Sequence, residues 1–204
     1  MTATDGPLSY GQRSLWFVQR LAPNATAYNI SLTARTSGVD PEALRDAWQA
    51  LSDRHGALRT IYPAPGGSPV ARVHPSLPID FAVVDAAGLS PAGLEERVAA
   101  EANRPFDLSQ GPIVRLRLFE TGVGESALQV GIHHIAVDFT SLAVLLDELA
   151  TAYAAWRRTG DDADLRLAFR DGQTHWREAA LRLLATWQND PDAAENTFSG
   201  WVDE

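Results

Sequence analysis

Hydrophobic residues recur along the chain with two distinct periods, which together predict interleaved helices and strands. Ser9 followed three residues later by Gln12 forms a capping-box pattern, with apolar residues at helical spacing behind it. The Asp-Pro pair at 40–41 and the Ser-Pro pair at 90–91 each join a capping side chain to a first-turn proline. We therefore predict helices over residues 10–21, 41–54 and 91–103, and a long helix from Ser141.

Alternation of apolar and polar residues predicts the strands. Residues 28–35 alternate cleanly, and the runs 113–119 and 127–134 flank the turn sequence TGVGES as an antiparallel hairpin. Three short runs, LRTIY, PVARVH and IDFAVVD, are interpreted as one strand and a following pair. This order of elements favours an α/β layered fold, with a mixed, largely antiparallel sheet flanked by helices.

Composition narrows the chemistry that the chain can perform. The 204 residues have an ordinary soluble composition, with 45% hydrophobic residues, and fit one domain. Cysteine is absent and all 17 basic residues are arginine, which excludes disulfides, thiolate nucleophiles and lysine Schiff bases. A net charge of −9 argues against nucleic-acid partners, and the sequence has no nucleotide-binding glycine motif. With neither a leader sequence nor a long apolar run, we expect a cytoplasmic protein that binds neither membrane nor cofactor.

The sequence GIHHIAVDFTS at 131–141 carries the candidate chemistry. If the strand continues to its end, His134 shares the apolar face of Val130 and Ile132, while His133 points to the opposite face. The two imidazoles then cannot act as a pair, and no third ligand completes a metal site. His134 is the candidate base, because desolvation favours a neutral imidazole. The alternative is a core histidine with both ring nitrogens bonded to backbone. His133 is assigned to structure.

Asp138 has two interpretations. It precedes Ser141 by three residues and is placed to cap the long helix. It could instead form a buried ion pair that fixes the loop, which would require an arginine partner because an unpaired buried carboxylate is costly. Arg54 and Arg59 are the candidates, although a solvated helix end also explains them.

Three stretches together resemble the condensation domains of nonribosomal peptide synthetases. The sequences LSYGQRSLWF at 8–17, RHGALRTIY at 54–62 and IHHIAVDFTS at 132–141 are similar to three successive motifs of that family, the last being its H-H-x-x-x-D-G signature. The stretch at 103–119 resembles the family's link between the second and third motifs. The resemblance implies a chloramphenicol acetyltransferase-like fold, in which two similar lobes form a V around a tunnel.

The resemblance also implies a reaction and its partners. Donor and acceptor carrier proteins deliver thioesters on phosphopantetheine arms, and the acceptor amine attacks the donor carbonyl to form an amide. The imidazole could remove the proton of the amine or stabilise the oxyanion, and the sequence leaves both roles open.

Individual residues take roles from their places in the three motifs. His134 matches the catalytic histidine, and His133 and Asp138 match structural residues beside it. Arg59 is the expected partner of Asp138, with Arg54 near it. Phe139 stands where the family has glycine, and we expect it, with Ser141, to line the loop at the tunnel; Gly56 stands where glutamate is usual.

The resemblance covers nearly the whole chain but only about one lobe of the family's domain. We interpret residues 1–204 as the amino-terminal lobe, with a core at about 8–158 and a helical segment at 159–204 leading toward the missing carboxy-terminal lobe. Such a lobe is expected to be inactive alone. Two alternatives remain: a non-catalytic lobe that binds carrier proteins, and the lobe of an epimerisation domain.

Overall fold

The computed structural model of the protein describes residues 2–159, and local sequence signals place its helices. The Ser9 hydroxyl accepts the Gln12 N–H, and the Gln12 side chain accepts the Ser9 N–H in return, which confirms the capping box. The second and third predicted helices are also confirmed, and the fourth begins two residues earlier than expected. In chain order the elements are β1 (Thr4–Gly6), α1 (Tyr10–Leu21), β2 (Asn29–Ser37), α2 (Pro41–Arg54), β3 (Thr60–Ile61), β4 (Ala71–Val73), β5 (Asp80–Asp85), α3 (Pro91–Ala102), β6 (Val114–Gly122), β7 (Glu125–His133) and α4 (Phe139–Thr159).

A four-stranded sheet in the order β2-β7-β6-β5 is the centre of the molecule. The predicted hairpin of β6 and β7 is formed, and β7 also pairs antiparallel with β2, whereas β5 runs parallel to β6. The predicted mixed, largely antiparallel sheet flanked by helices is therefore confirmed. A smaller antiparallel sheet in the order β1-β4-β3 lies beside it.

The predicted pairing of the runs PVARVH and IDFAVVD is wrong. Strand β4, from the first run, pairs with β1 and β3, and β5, from the second, joins the large sheet. Two prolines, Pro75 and Pro78, separate the runs and prevent a tight hairpin between them. The helix α3 then connects β5 to β6, the crossover that parallel neighbours require.

Helices α2 and α4 cover the apolar face of the large sheet. This main core includes Trp48 and Leu51 of α2, Ile132 of β7 and Leu149 of α4, all at most 4% exposed. Burial of each such side chain contributes roughly 1.5–3 kcal/mol. Within residues 2–159, no helix combines the length and the hydropathy that a bilayer crossing requires. The predicted helical segment at 159–204 lies outside the described residues, apart from Thr159 at the end of α4.

The opposite face of the sheet, which α3 covers, has buried polar side chains beside a small apolar cluster. Arg117 forms ion pairs with Asp80 at 2.6 Å and with Glu101 of α3 at 3.1 Å. Arg115 donates to three backbone carbonyls at the end of α3 and lies 3.7 Å from the centre of the Phe106 ring. Burial lowers the pKa of Arg115 to about 10, which still leaves it charged at neutral pH. Hydrogen bonds and carboxylates thus compensate the buried charge and fix the sheet beneath the end of β7.

Candidate active site

The two histidines lie where the chain leaves the sheet. Strand β7 ends at His133, and a turn closed by a bond from the Ala136 N–H to the His133 carbonyl follows. His134, the first residue of this turn, is exposed, and its backbone N–H donates to the Tyr28 carbonyl at 2.9 Å. The prediction that His134 ends a desolvated apolar face is wrong, because the alternation of a strand stops at its last residue.

In the ring of His134, one nitrogen is hydrogen-bonded to the backbone and the other is not. Its Nδ1 lies 2.8 Å from the Val137 carbonyl oxygen. Because a carbonyl can only accept, Nδ1 must carry a proton, and in the neutral ring Nε2 then has the lone pair. The alternative of a core histidine with both nitrogens bonded to backbone is therefore wrong for His134.

His133, and not His134, is the histidine that lies in the core. Its ring is 1% exposed and contacts Phe106 edge to face. Burial, followed by the charge of the neighbouring His134, lowers the pKa of His133 from 6.5 to about 4. The Nδ1 of His133 accepts the N–H of Ile135 at 3.1 Å and so helps to hold the turn.

The three sequence motifs meet at one carbonyl oxygen of this turn. The Gln12 side-chain amide donates to the Tyr62 hydroxyl at 3.2 Å and to the Ile135 carbonyl at 3.4 Å, and the Tyr62 hydroxyl donates to the same carbonyl at 3.4 Å. Burial raises the pKa of Tyr62 to about 12, so the phenol retains its proton. Trp16 of α1 also donates to the Tyr62 backbone carbonyl. Sequence reasoning missed the contact between Gln12 and Tyr62, which are 50 residues apart.

Asp138 is the N-cap of α4. Its Oδ1 accepts the Ser141 N–H at 2.7 Å, and this bond is the first cause of the lowered pKa of Asp138. The side chain is exposed, and the ion pairs among residues 2–159 include none to Asp138, so the predicted buried pair is wrong. Capping requires the carboxylate to face the first turn of its own helix, which directs it away from the arginines.

The two candidate arginines contact other groups. Arg54, at the end of α2, lies 3.6 Å from the Glu148 carboxylate of α4. Arg59 donates to the backbone carbonyl of His74. Glu148 also contacts His55, and its side chain is only 12% exposed. Glu148 was missed because its pairing depends on how α2 and α4 cross, which no local pattern records.

An apolar cavity of about 280 Å³ adjoins the turn. Val137 lines this cavity, and its backbone carbonyl accepts the hydrogen bond from His134 Nδ1. Phe139, the first residue of α4, is 46% exposed. Among residues 2–159, no group of three or more His, Asp or Glu side chains is placed to hold a metal ion. The cavity is lined by His55, Ala57, Leu58, Ala136, Val137, Thr140, Ser141, Val144 and Leu145.

Comparison with known protein sequences identifies a family and relatives that match most of the chain. The family profile of the condensation domain matches residues 2–175. Nonribosomal peptide synthetase kk1B of Curvularia clavata is 34% identical over 197 residues, which cover 93% of this chain and 1% of that protein. Phosphinothricin tripeptide synthetase PhsC of Streptomyces viridochromogenes is 39% identical over 168 residues, covering 79% of this chain and 15% of that protein. The chain thus spans a small part of these relatives.

Solved structures show the same fold. The starter condensation domain of rhizomide synthetase RzmA matches with a TM-score of 0.70 at 23% identity, over 76% of this chain and 38% of that one. The first condensation domain of the calcium-dependent antibiotic synthetase matches with a TM-score of 0.67 at 23% identity, over 77% of this chain and 38% of that one. The profile match, which covers most of the chain, and the shared fold agree with the three motifs that meet at the His134 turn. The chain therefore belongs to the condensation domain family of nonribosomal peptide synthetases and has its chloramphenicol acetyltransferase-like fold.

Proposed function

We propose that this chain is the amino-terminal lobe of a condensation domain and that His134 is its catalytic residue. The observation that carries the proposal is the bond from His134 Nδ1 to the Val137 carbonyl, which leaves the Nε2 lone pair on an exposed ring. That nitrogen has the lone pair and the accessibility that a base needs at a substrate amine.

The proposed reaction joins two thioesters carried on the phosphopantetheine arms of a donor and an acceptor carrier protein. The amine nitrogen of the acceptor attacks the carbonyl carbon of the donor, a C–N bond forms, and the C–S bond of the donor breaks. An α-amine has a pKa of about 8, so most of it is protonated at neutral pH and must lose a proton before it can attack. His134 Nε2 takes the proton of the attacking amine and returns it to the leaving thiolate, so the carrier leaves as a thiol. In the protonated state the same N–H can donate to the oxyanion.

In this proposal the remaining motif residues hold the surrounding structure and do not act on the reacting atoms. Asp138 caps α4 and fixes the point where the turn ends, with Ser141 as its bonding partner. Arg59 joins the second motif to the His74 carbonyl, and Arg54 joins α2 to α4 through Glu148. His133 anchors the turn from within the core. We assign structural roles to Asp138, Arg59, Arg54 and His133.

Because the solved condensation domains are more than twice as long as the matched region, we propose that the isolated chain does not complete the reaction. The tunnel would need the carboxy-terminal lobe as its second wall. Turnover by the 204-residue chain alone would refute this part of the proposal.

The test is amide formation between two loaded carrier proteins by the full protein that contains this chain, followed by mass spectrometry of the acceptor-bound product. His134→Ala should abolish product, whereas His74→Gln, which removes an imidazole elsewhere in the chain, should retain it. Undiminished product with His134→Ala would refute the catalytic assignment. Exchange of deuterium at the acceptor α-carbon without amide formation would instead indicate an epimerisation domain.

One observation favours a second candidate, a lobe that binds an acylated carrier protein without forming a bond. Phe139 places a half-exposed ring beside the His134 turn, where the family signature has glycine. If the ring blocks the approach of substrate, the wild-type protein binds carriers without turnover, and Phe139→Gly gains turnover. If both proteins turn over equally, this candidate is wrong.

A further inference from the structure

The proton of His133 can be assigned to one ring nitrogen. Its Nδ1 accepts the Ile135 N–H, so Nδ1 carries no proton. The buried ring is neutral at pH 7, since its pKa is lowered to about 4. The single ring proton is therefore on Nε2, which makes Nε2–H a hydrogen-bond donor.

This donor is buried and has no partner in the part of the chain that the structure describes. Directly opposite His133 in the register of β2 and β7 is Asn29. Its Nδ2 donates to the Ala102 carbonyl at 3.0 Å and to the Arg104 carbonyl at 3.1 Å, so both of its donors are used. Its Oδ1 is buried and, within the same described range, has no partner either.

The two orphan atoms complement each other. Side chains of directly opposed residues project from the same face of a sheet, with their Cβ atoms about 4.5–5.5 Å apart. A buried donor or acceptor that is left unsatisfied loses its hydration without compensation and destabilises the fold. No direct hydrogen bond joins the two atoms, and one water between two such groups satisfies both.

We propose that one buried water accepts the His133 Nε2–H and donates to Asn29 Oδ1, and that Asn29 is thereby a positioning residue for His134. The water fixes the His133 ring, the ring fixes the Ile135 N–H, and that N–H belongs to the turn that presents His134. Tyr28, the residue before Asn29, accepts the backbone N–H of His134. The dipeptide Tyr28-Asn29 thus holds the dipeptide His133-His134 at two points. The effect on catalysis rests on the proposed function of His134, whereas the water site does not.

Gln129 provides a matched control. It lies on the same strand and face as His133, and its amide donates to the Val98 carbonyl of α3 and to the Ser31 hydroxyl of β2, both at 2.9 Å. Gln129→Leu therefore removes a comparable tie between the sheet and α3 without touching His133. Asn29→Leu removes the same kind of tie together with the acceptor for the water.

The experiment is NMR of the ¹⁵N-histidine-labelled 204-residue chain. The wild-type protein should show a His133 Nε2–H proton that exchanges slowly with solvent, and Gln129→Leu should retain it. Asn29→Leu should accelerate this exchange at least about ten-fold, since it removes the acceptor that holds the water bonded to this proton. Asn29→Asp, which keeps an acceptor oxygen, should retain slow exchange and serves if Asn29→Leu does not fold. Equal exchange in Asn29→Leu and Gln129→Leu, or an Nδ1–H tautomer in the wild type, would overturn the proposal.

A second readout tests the link to catalysis in the full protein. Asn29→Leu should lower kcat about ten-fold with KM unchanged, because a displaced base slows the reaction without weakening binding. Gln129→Leu should leave kcat within about two-fold of the wild-type value. If the ring proton responds as expected but kcat does not, the water site stands and the positioning role is refuted. Failure of the proposed function alone would leave the exchange results unchanged.

Discussion

His133 and His134 are neighbours in sequence, but their environments differ completely. One ring is buried in the polar layer under α3, and the other is on an exposed turn. Strand alternation correctly separates the two side chains, and it fails only in assuming that the strand includes His134. A single backbone bond, from the Ala136 N–H to the His133 carbonyl, closes the turn that places His134 in solvent. The exposure of His134 therefore depends on where one strand ends.

Burial of His133 predicts a specific loss of stability in acid. Below pH 6.5 the unfolded chain binds a proton on this imidazole, whereas the folded chain does so only near its lowered pKa of about 4. The contribution of His133 to the free energy of unfolding is therefore complete above pH 6.5. It is lost as the pH falls toward 4, by up to about 3 kcal/mol. Urea unfolding between pH 7 and pH 4 measures the effect. In His133→Asn, an amide oxygen can accept in place of Nδ1 but cannot titrate. The free energy of unfolding of this variant should therefore depend less steeply on pH, by up to the slope that one bound proton produces. An unchanged slope would show that His133 is not buried neutral.

Asp138 provides a test that separates capping from ion pairing. Asparagine caps a helix about as well as aspartate, so Asp138→Asn should change the free energy of unfolding by less than about 0.5 kcal/mol, whereas Asp138→Ala should cost about 1 kcal/mol. A buried ion pair would give a different pattern, with Asp138→Asn costing about 3–5 kcal/mol. Urea unfolding at pH 7 distinguishes the two.

At the scale of elements, the sequence predicts what local chemistry determines. Caps at Ser9, Asp40 and Ser90 locate three helices to within a residue or so, because a cap acts within one turn. The partner strands of β4 and of β5 could not be predicted in this way, since they include strands distant in sequence. The same limit applies to Glu148, whose partners come from another helix and the residue that follows it. Motif resemblance identifies the candidate residues, but their contacts depend on the fold.

The link between α1, Tyr62 and the turn predicts that a hydroxyl distant in sequence from His134 stabilises its position. Tyr62→Phe removes the donor to the Ile135 carbonyl and the acceptor for Gln12, and should lower the free energy of unfolding by about 1 kcal/mol. Tyr10→Phe, at a side chain that is 92% exposed, should have no measurable effect. Equal stabilities of these two variants in urea would contradict the proposed link.

At the scale of the molecule, one helix face is open to solvent. Tyr10, Phe17 and Leu21 of α1 are 92%, 57% and 70% exposed, and their spacing places them on one side of the helix. Such a concentration of exposed apolar side chains is unusual on a monomer and favours association. The chain matches 38% of the length of the solved starter condensation domain.

We expect the 204-residue chain to self-associate reversibly at high concentration, as measured by sedimentation velocity. The double variant Phe17→Ser and Leu21→Ser should sediment as a monomer. Val123→Ser, at a fully exposed valine in the turn between β6 and β7, should associate like the wild type. A wild-type chain that remains monomeric throughout would show that this face does not drive association.

If His134 is the catalytic base, Nε2 of its exposed ring acts on the proton of the attacking amine. The direct measurement is the single-turnover rate of amide formation, by rapid quench, in the full protein with both carrier proteins loaded. His134→Asn should reduce this rate by about 10²–10⁴-fold while carrier binding is unchanged, the range expected for loss of a general base. A rate within a few-fold of the wild type would show that His134 is not the general base.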